Sequence, residues 1–164
     1  MSKYYLYQDE SKCISCRSCE VQCKVNKGLF EVGPKPNQVV AAGEIRINGE
    51  PSFIACFHCE EPWCIPVCST GAIQKRAIDG IVFIDQELCV GCKSCIMACP
   101  WGAPQWDARK GRAVKCDYCK DRIDAGLKPA CVAACPTGSL IFGPAGDVPS
   151  IIPSYSRSSA LLRG

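Results

Sequence analysis

The fold of this chain is decided by the stretch Cys-Val-Gly-Cys-Lys-Ser-Cys-Ile-Met-Ala-Cys-Pro, which covers residues 89–100. Its spacing, C-x2-C-x2-C-x3-C-P, is typical of segments that hold cubane iron–sulfur clusters. Three cysteines at intervals of three can wrap a loop around three corners of one cubane, with the intervening backbone N–H groups turned towards its sulfides. The fourth cysteine lies one helical turn further on and binds a different cluster in such proteins. One run of this kind therefore predicts a partner run elsewhere.

Three further runs of four cysteines accompany this stretch, and no cysteine is left over. The first run repeats the x2, x2, x3 spacing, the second widens its middle gap to four residues, and the fourth widens it to eleven. The runs are Cys13, Cys16, Cys19, Cys23; Cys56, Cys59, Cys64, Cys68; Cys89, Cys92, Cys95, Cys99; and Cys116, Cys119, Cys131, Cys135. These sixteen thiols are the complete ligand set of four [4Fe–4S] clusters, with no iron left open for a substrate.

The order of the runs predicts which cysteines share a cluster. Runs two and three are joined by a hairpin candidate, Ala72–Arg76 with Ile81–Ile84, which is the layout of a small ferredoxin, so they should exchange their fourth cysteines. Runs one and four should enclose this unit, with strands Lys3–Gln8 and Ser139–Phe142 pairing across the termini. The predicted ligand sets are Cys56, Cys59, Cys64, Cys99; Cys89, Cys92, Cys95, Cys68; Cys13, Cys16, Cys19, Cys135; and Cys116, Cys119, Cys131, Cys23.

The predicted fold class is α+β, with two nested bacterial-ferredoxin-like modules whose short strands and helices surround four [4Fe–4S] clusters. The outer module comprises residues 1–23 plus 100–143, and the inner module comprises residues 56–99. Residues 24–55 are predicted to form a loop and hairpin insertion, and residues 144–164 an extended C-terminal tail rich in proline, serine and glycine.

Local patterns predict three further elements. Glu44–Ile54 is expected to form a hairpin with its turn at Asn48-Gly49, and Pro51 would confine its second strand to an edge. Trp101–Gly111 is expected to be a loop. Asp121–Ala125 is expected to form a helical turn that glycine and proline then end.

Composition and charge favour metal over disulfides. The N-terminus shows no apolar signal region, and no apolar segment reaches the roughly 20 residues that span a bilayer, so we expect a cytoplasmic protein that does not insert into the membrane. In a reducing compartment, sixteen cysteines in 164 residues indicate metal binding. The formal charge of +3 counts every thiol as neutral, and four clusters of charge −2 would bring it to about −5. The calculated pI therefore does not indicate nucleic-acid binding.

Three segments carry a resemblance that goes beyond cysteine spacing. They are Cys-Pro-Trp-Gly-Ala-Pro-Gln-Trp-Asp at 99–107, Lys-Cys-Asp-Tyr-Cys-Lys-Asp-Arg at 115–122, and Lys-Pro-Ala-Cys-Val-Ala-Ala-Cys-Pro-Thr-Gly at 128–138. Over roughly Lys3 to Pro144 the chain resembles the four-cluster ferredoxin subunits of molybdenum and tungsten bis-pterin oxidoreductases, similar to the electron-transfer subunit of dimethyl sulfoxide reductase. The nested ligand pairing agrees with what this family implies. Ser69 departs from the proline that often follows the second run, so the chain direction there is less constrained.

The resemblance implies a non-catalytic electron-transfer subunit. Its expected partner is a large molybdenum- or tungsten-pterin catalytic subunit, of the dimethyl sulfoxide reductase type or the tungsten aldehyde oxidoreductase type, with a further flavin or ferredoxin subunit as a second candidate partner. The alternative is a free-standing polyferredoxin that carries electrons between several enzymes. An enzyme acting through a cluster or thiol is disfavoured because every cysteine already has a ligand role. No nucleotide loop or flavin motif is present.

Alternative interpretations of single features remain open from sequence alone. Disulfides would need an oxidising compartment, and zinc favours two separated Cys-x2-Cys pairs over closely spaced triplets. His58 is expected to pack or to form a hydrogen bond near a cluster, with proton-coupled or ligating roles as the alternative. The three tryptophans are expected to shield clusters from water; they are Trp63, Trp101 and Trp106.

Two charged or apolar surface segments also have candidate roles. The basic residues near the fourth run are expected to form a solvated face, to offset cluster charge, or to dock an acidic surface; they are Arg109, Lys110, Arg112 and Lys115. Leu161-Leu162 in the tail is a candidate for partner docking or self-association.

Overall fold

The computed structural model describes residues 3–30, 32–40 and 51–144, in which short strands and short helices connect cysteine-bearing loops. The class is α+β, as predicted. The strands are β1 (Tyr4–Gln8), β2 (Gln38–Val40), β3 (Ser52–Ile54), β4 (Ile73–Lys75), β5 (Val82–Ile84), β6 (Gln105–Asp107), β7 (Arg112–Val114) and β8 (Leu140–Pro144). The helices are α1 (Ser18–Asn26), α2 (Ser94–Ala98), α3 (Lys120–Asp124) and α4 (Ala130–Ala133), with a 3₁₀ turn at Glu10–Lys12.

The two ends of the described chain meet in an antiparallel ribbon of β1 and β8, with Leu6 opposite Phe142. Two further hydrogen bonds extend this ribbon: the Asp9 N–H donates to the Ser139 carbonyl and the Ser139 hydroxyl donates to the Asp9 carbonyl, both at 2.7 Å. The predicted pairing across the termini is confirmed. It places the loop of the first cysteine run beside the end of the fourth run.

The hairpin predicted between the second and third runs is also confirmed. Strands β4 and β5 pair antiparallel, with Ile73 opposite Ile84. The Asp79 carboxylate accepts the Ile81 N–H at 3.1 Å, and Gly80 takes a φ of +72° that a residue with a side chain adopts at a cost. Ile81 is fully buried, so the turn is held by packing as well as by hydrogen bonds.

The segment Trp101–Gly111, which was predicted to be a loop, instead contains most of a second hairpin. Strands β6 and β7 pair with Trp106 opposite Ala113. The buried Asp107 carboxylate accepts the N–H groups of Arg109 and Lys110 at 3.0 and 3.3 Å, which is the side-chain-supported turn that aspartate favours. The loop prediction was therefore wrong because an aspartate-initiated turn joins these two short strands.

The predicted hairpin Glu44–Ile54 is only partly within the described residues. Its second strand is present as β3, but β3 pairs with β2, upstream of the predicted first strand, while residues 41–50 with their Asn48-Gly49 turn lie outside the described residues. Burial of Val39 against the helices accounts for a strand at β2. The Gln8 side chain fixes this sheet to β1, donating to the Pro51 carbonyl at 2.8 Å and accepting the Phe53 N–H at 2.5 Å.

The helices are short and adjoin the cysteine runs. The helical turn predicted at Asp121–Ala125 is confirmed by α3, after which Gly126 adopts a φ of +72°. The Arg76 guanidinium binds the Asp124 carboxylate through two bonds of 2.9 and 2.6 Å, which ties the β4–β5 hairpin to α3. In the part of the chain that the structure describes, no helix has the length and apolar character that crossing a membrane requires.

The buried apolar residues that the structure describes form three small groups, and every group contains at least one cysteine. The groups are Cys19, Val39, Cys131 and Leu140; Ile73, Val82, Cys95 and Ala113; and Ile81, Cys116 and Tyr118. Such a thin core leaves much of the folding free energy to be supplied by whatever the thiols bind.

Candidate iron–sulfur centres

The four cysteine loops share one backbone feature. In each run, the residue immediately before the second cysteine has a positive φ, and these residues are Ser15 (+55°), His58 (+48°), Gly91 (+73°) and Tyr118 (+52°). In the first and third runs the residue after the second cysteine, Arg17 or Lys93, is left-handed as well. Left-handed residues inside a turn direct successive N–H groups towards one side, which suits a bound anion. All four loops therefore share a left-handed residue at the same position of the run, although their sequences differ.

Three of the predicted ligand sets each line a separate cavity. One of these cavities, of about 230 Å³, is also lined by Phe57, Trp63 and Trp101. The sets of thiols are Cys56, Cys59, Cys64 and Cys99; Cys13, Cys16, Cys19 and Cys135; and Cys68, Cys89, Cys92 and Cys95. In every case three thiols come from one run and the fourth comes from another run.

The fourth predicted set is brought together inside the protein, between α1 and the fourth run. Its members are all buried, and they are Cys23, Cys116, Cys119 and Cys131. The pKa of Cys23 is raised to about 12, first by burial and next by the neighbouring Cys119 thiol. Burial raises the pKa of Cys116 well above its usual value, and the nearby thiols of Cys131 and Cys23 add to this effect.

Buried thiols of this kind are neutral at physiological pH unless a metal replaces the proton. Burial also raises the pKa of Cys19 and of Cys64 to about 11. Only the thiolate is a good ligand, so binding iron releases these protons and returns negative charge to the interior. In residues 3–30, 32–40 and 51–144, no three His, Cys, Asp or Glu side chains are grouped so as to hold a single metal ion. Four thiols around a cavity fit a cubane cluster.

The histidine in the second run is a packing residue, as expected. The His58 ring is 1% exposed and stacks on Tyr118, with ring centroids 3.8 Å apart. Its Nδ1 accepts the Val82 N–H at 2.9 Å, and burial, followed by the charges of Lys115 and Lys27, holds the pKa of His58 well below its usual value. The imidazole is therefore neutral, and Nε2 carries its proton.

The three tryptophans each lie beside a cysteine run, and their shielding of clusters stays a prediction. Trp63 and Trp101 line a thiol cavity but are 71% and 57% exposed, so their outer faces meet solvent. Trp106 packs against the third run, because a Cβ on Gly91 would lie only 2.9 Å from its ring, and Lys93 Nζ lies 4.3 Å from the centre of the ring.

The basic residues near the fourth run do not form one solvated face. Arg109 and Lys110 are exposed in the β6–β7 turn, while Arg112 belongs to β7. Lys115 is buried and its Nζ lies 3.4 Å from Cys56 Sγ. For Lys115, this burial beside a cysteine favours the second of the roles expected from the sequence, the offsetting of cluster charge, over a solvated face.

Comparison with known proteins identifies the ligand of these thiols and the family. Residues 52–145 match the 4Fe-4S dicluster domain and residues 10–26 match a 4Fe-4S binding domain. The protein is 40% identical to the B subunit of anaerobic dimethyl sulfoxide reductase from Haemophilus influenzae, over 90% of its own length and 77% of that protein. It is 42% identical to the protein of the same name from Escherichia coli K12, over 90% of its own length and 76% of that protein.

A relative named for a different reaction shows comparable similarity. The thiosulfate reductase electron transfer subunit PhsB of Salmonella typhi is 39% identical, over 87% of this protein and 76% of that one. The resemblance expected from the sequence is thus confirmed, and the matched domains favour iron–sulfur clusters over zinc or disulfides. The protein belongs to the family of [4Fe–4S] iron–sulfur subunits that includes the B subunit of anaerobic dimethyl sulfoxide reductase.

Proposed function

We propose that this chain relays single electrons through four [4Fe–4S] clusters to or from a molybdenum- or tungsten-pterin catalytic subunit, and performs no substrate chemistry itself. The observation that carries the proposal is the grouping of thiols from different runs: twelve line three cavities in sets of four, and the remaining four are buried near one another. The electron-transfer role in the printed name of the thiosulfate reductase relative supports the same function here.

The proposed ligand sets are those that the sequence predicts, with fourth cysteines exchanged between runs two and three and between runs one and four. This arrangement makes residues 56–99 an inner ferredoxin-like module and residues 1–23 plus 100–143 an outer one. The β4–β5 hairpin lies within the inner module, and the β1–β8 ribbon joins the two parts of the outer module. Both pairings support this division. The sixteen proposed ligands are Cys13, Cys16, Cys19, Cys135; Cys116, Cys119, Cys131, Cys23; Cys56, Cys59, Cys64, Cys99; and Cys89, Cys92, Cys95, Cys68.

The protein's part in this relay is to hold the clusters, to separate them from solvent and to set their reduction potentials. A [4Fe–4S] cluster, when bound, accepts or gives up one electron. The chain's own contribution is a curled loop of N–H groups around each site, thiols fixed on short helices, and a small apolar group beside the sites. Local charge and hydrogen bonds to sulfur then set the potential at each site.

The catalytic partner is proposed from the relatives. Several are named as subunits of reductases, acting on dimethyl sulfoxide, thiosulfate or tetrathionate. A reductase-type partner is therefore favoured, and a tungsten aldehyde oxidoreductase-type partner is the second candidate. Heavy use of free cysteine supports a reducing, cytoplasmic location. The alternative function is a free-standing polyferredoxin.

Anaerobic purification of the tagged full-length chain from its native host tests the proposal. A relay subunit should elute with a large subunit that brings molybdenum or tungsten, in a fixed ratio to this chain. If the chain carries its clusters but elutes alone, without molybdenum or tungsten, the relay proposal is wrong. The free-standing polyferredoxin is then favoured.

A further inference from the structure

Lys115 is a buried lysine whose ammonium group lies between two of the proposed cluster sites. It follows β7 directly, and its residue is only 5% exposed. Its Nζ donates to Cys56 Sγ at 3.4 Å, to the Cys116 carbonyl at 2.8 Å and to the Val82 carbonyl. Cys56 and Cys116 belong to different proposed ligand sets. One ammonium group therefore contacts ligand residues of two clusters.

Within residues 3–30, 32–40 and 51–144, the hydrogen bonds of Lys115 go to carbonyls and a sulfur, and none goes to a carboxylate. An ammonium group has three N–H donors, and two carbonyls and one sulfur take all three. Among the described residues, no Asp or Glu oxygen lies within ion-pair distance of this Nζ. A buried charge without a counter-charge costs several kcal/mol, as a rough scale. The negative partner that the geometry offers is the sulfur of Cys56 as an iron-bound thiolate.

The nearby carboxylates do not supply the missing charge: Glu61 lines the same cavity, Asp85 and Asp117 line a second pocket beside Lys115, and none of them forms an ion pair with Lys115 in the described part of the chain. The imidazole of His58 cannot supply a negative charge, and it contacts the other polar group of Val82: its Nδ1 accepts the Val82 N–H, while Lys115 donates to the Val82 carbonyl. Lys115 is the basic side chain among the described residues that line the cavity of Cys56, Cys59, Cys64 and Cys99.

We propose that Lys115 raises the reduction potential of the cluster held by Cys56, Cys59, Cys64 and Cys99, and, to a smaller degree, that of the cluster held by the Cys116 set. This inference rests on the four-cluster relay proposed above. Reduction adds one negative charge to a cluster, and a buried positive charge a few ångströms away stabilises that added charge. The direct contact with Cys56 Sγ makes the effect largest at the first of these clusters. Lys115 thus acts as a tuning residue that favours arrival of the electron at this cluster.

The test is a redox titration of the anaerobically purified complex, followed by EPR, with three variants. Lys115→Met removes the charge at similar length, Lys115→Arg retains it, and Lys128→Met removes an exposed lysine as the matched control. A Cys59→Ser variant identifies the signals of the cluster concerned. In Lys115→Met, the ratio of oxidised to reduced cluster at a fixed potential should rise about tenfold, which for one electron is a potential about 59 mV lower. Lys115→Arg and Lys128→Met should titrate close to the wild type.

Three results would overturn the proposal: unchanged potentials in Lys115→Met, an equal shift in Lys128→Met, or a shift in Lys115→Arg as large as in Lys115→Met. Where Lys115→Met loses iron, loss confined to the Cys56 set and repaired by Lys115→Arg supports the proposal, whereas general loss that arginine does not repair contradicts it.

The wild-type count of clusters tests the relay separately. Fewer than four clusters overturns the relay, while four clusters with unchanged potentials in Lys115→Met overturns the role of Lys115 alone.

Discussion

At the scale of single residues, the cysteine loops depend on backbone conformations that most side chains resist. Three of the four residues that precede the second cysteine of a run carry side chains in the left-handed region, and each costs about 1–3 kcal/mol. In the third run this position is a glycine, Gly91, which adopts a positive φ at little cost. Strain of this kind is retained where it directs N–H groups at a bound group, which supports a common cluster-holding role for the four loops.

Replacement of Gly91 should damage the third run. A Cβ at this position would lie 2.3 Å from the Gly111 carbonyl oxygen and 2.9 Å from the Trp106 ring. Gly91→Ala should therefore destabilise the loaded protein by about 1–3 kcal/mol beyond the cost of its positive φ. The measurement is the Tm of cluster loss under anaerobic conditions. Gly102→Ala is the matched control, since Gly102 has a φ of +61° and open space around its Cβ position. Equal Tm values for the two variants would contradict the predicted clash.

At the scale of elements, the described loop before β2 is fixed to α1 by one buried carboxylate. Glu20 lies in the first turn of α1 and is 5% exposed. Its Oε1 accepts the Val39 N–H at 2.5 Å, and its Oε2 pairs with Lys35 Nζ at 3.0 Å. Because Val39 packs on Cys19 and Cys131, this carboxylate holds a strand against two cysteine-bearing helices.

Removal of the Glu20 carboxylate should loosen this contact. Glu20→Ala leaves a buried N–H without an acceptor and Lys35 without its partner, so we expect a loss of about 2–3 kcal/mol. This corresponds to a Tm of unfolding lower by about 5–10 °C. Glu87→Ala, which removes an exposed carboxylate, should change the Tm by less than about 2 °C. A Tm for Glu20→Ala within the range of that control would show that the contact is dispensable.

Elements also show what could and could not be predicted from the sequence. Cysteine spacing and the short connection between runs two and three were sufficient to place the β4–β5 hairpin and the β1–β8 pairing. The β6–β7 hairpin was missed because its turn after Asp107 contains no Asp-Gly or Asn-Gly pair, whereas the equally short strands β4 and β5 flank Asp79-Gly80. The burial of Lys115 could not be predicted, since local sequence does not distinguish a lysine that faces solvent from one that faces a thiol. The predicted sets of thiols do lie together, but their binding to particular clusters remains a proposal.

At the scale of the whole molecule, exchange of fourth cysteines would link parts of the chain that are far apart in sequence. Cys135 lies with three first-run thiols, and Cys68 lies with three third-run thiols. Two of the four proposed sets thus join the two ends of the described chain, and the other two join the halves of the inner module. Loss of one cluster should therefore destabilise two runs at once, which makes the iron a structural part of the fold.

A single-ligand change tests this exchange. Cys68→Ser should alter the cluster that Cys89, Cys92 and Cys95 hold, because Cys68 lies in their cavity. The cluster of the second run should keep its EPR spectrum and its potential. Cys64→Ser is the matched control, and it should alter the second-run cluster instead. If Cys68→Ser changes the second-run cluster and leaves the third-run cluster intact, the nested arrangement is wrong.

Quantitative iron, sulfide and zinc analysis of the folded chain, purified without air, tests whether all sixteen thiols bind four [4Fe–4S] clusters. We expect about sixteen irons and about sixteen acid-labile sulfides per chain, with negligible zinc. A folded chain that holds far fewer irons, or that holds zinc in their place, would contradict this expectation.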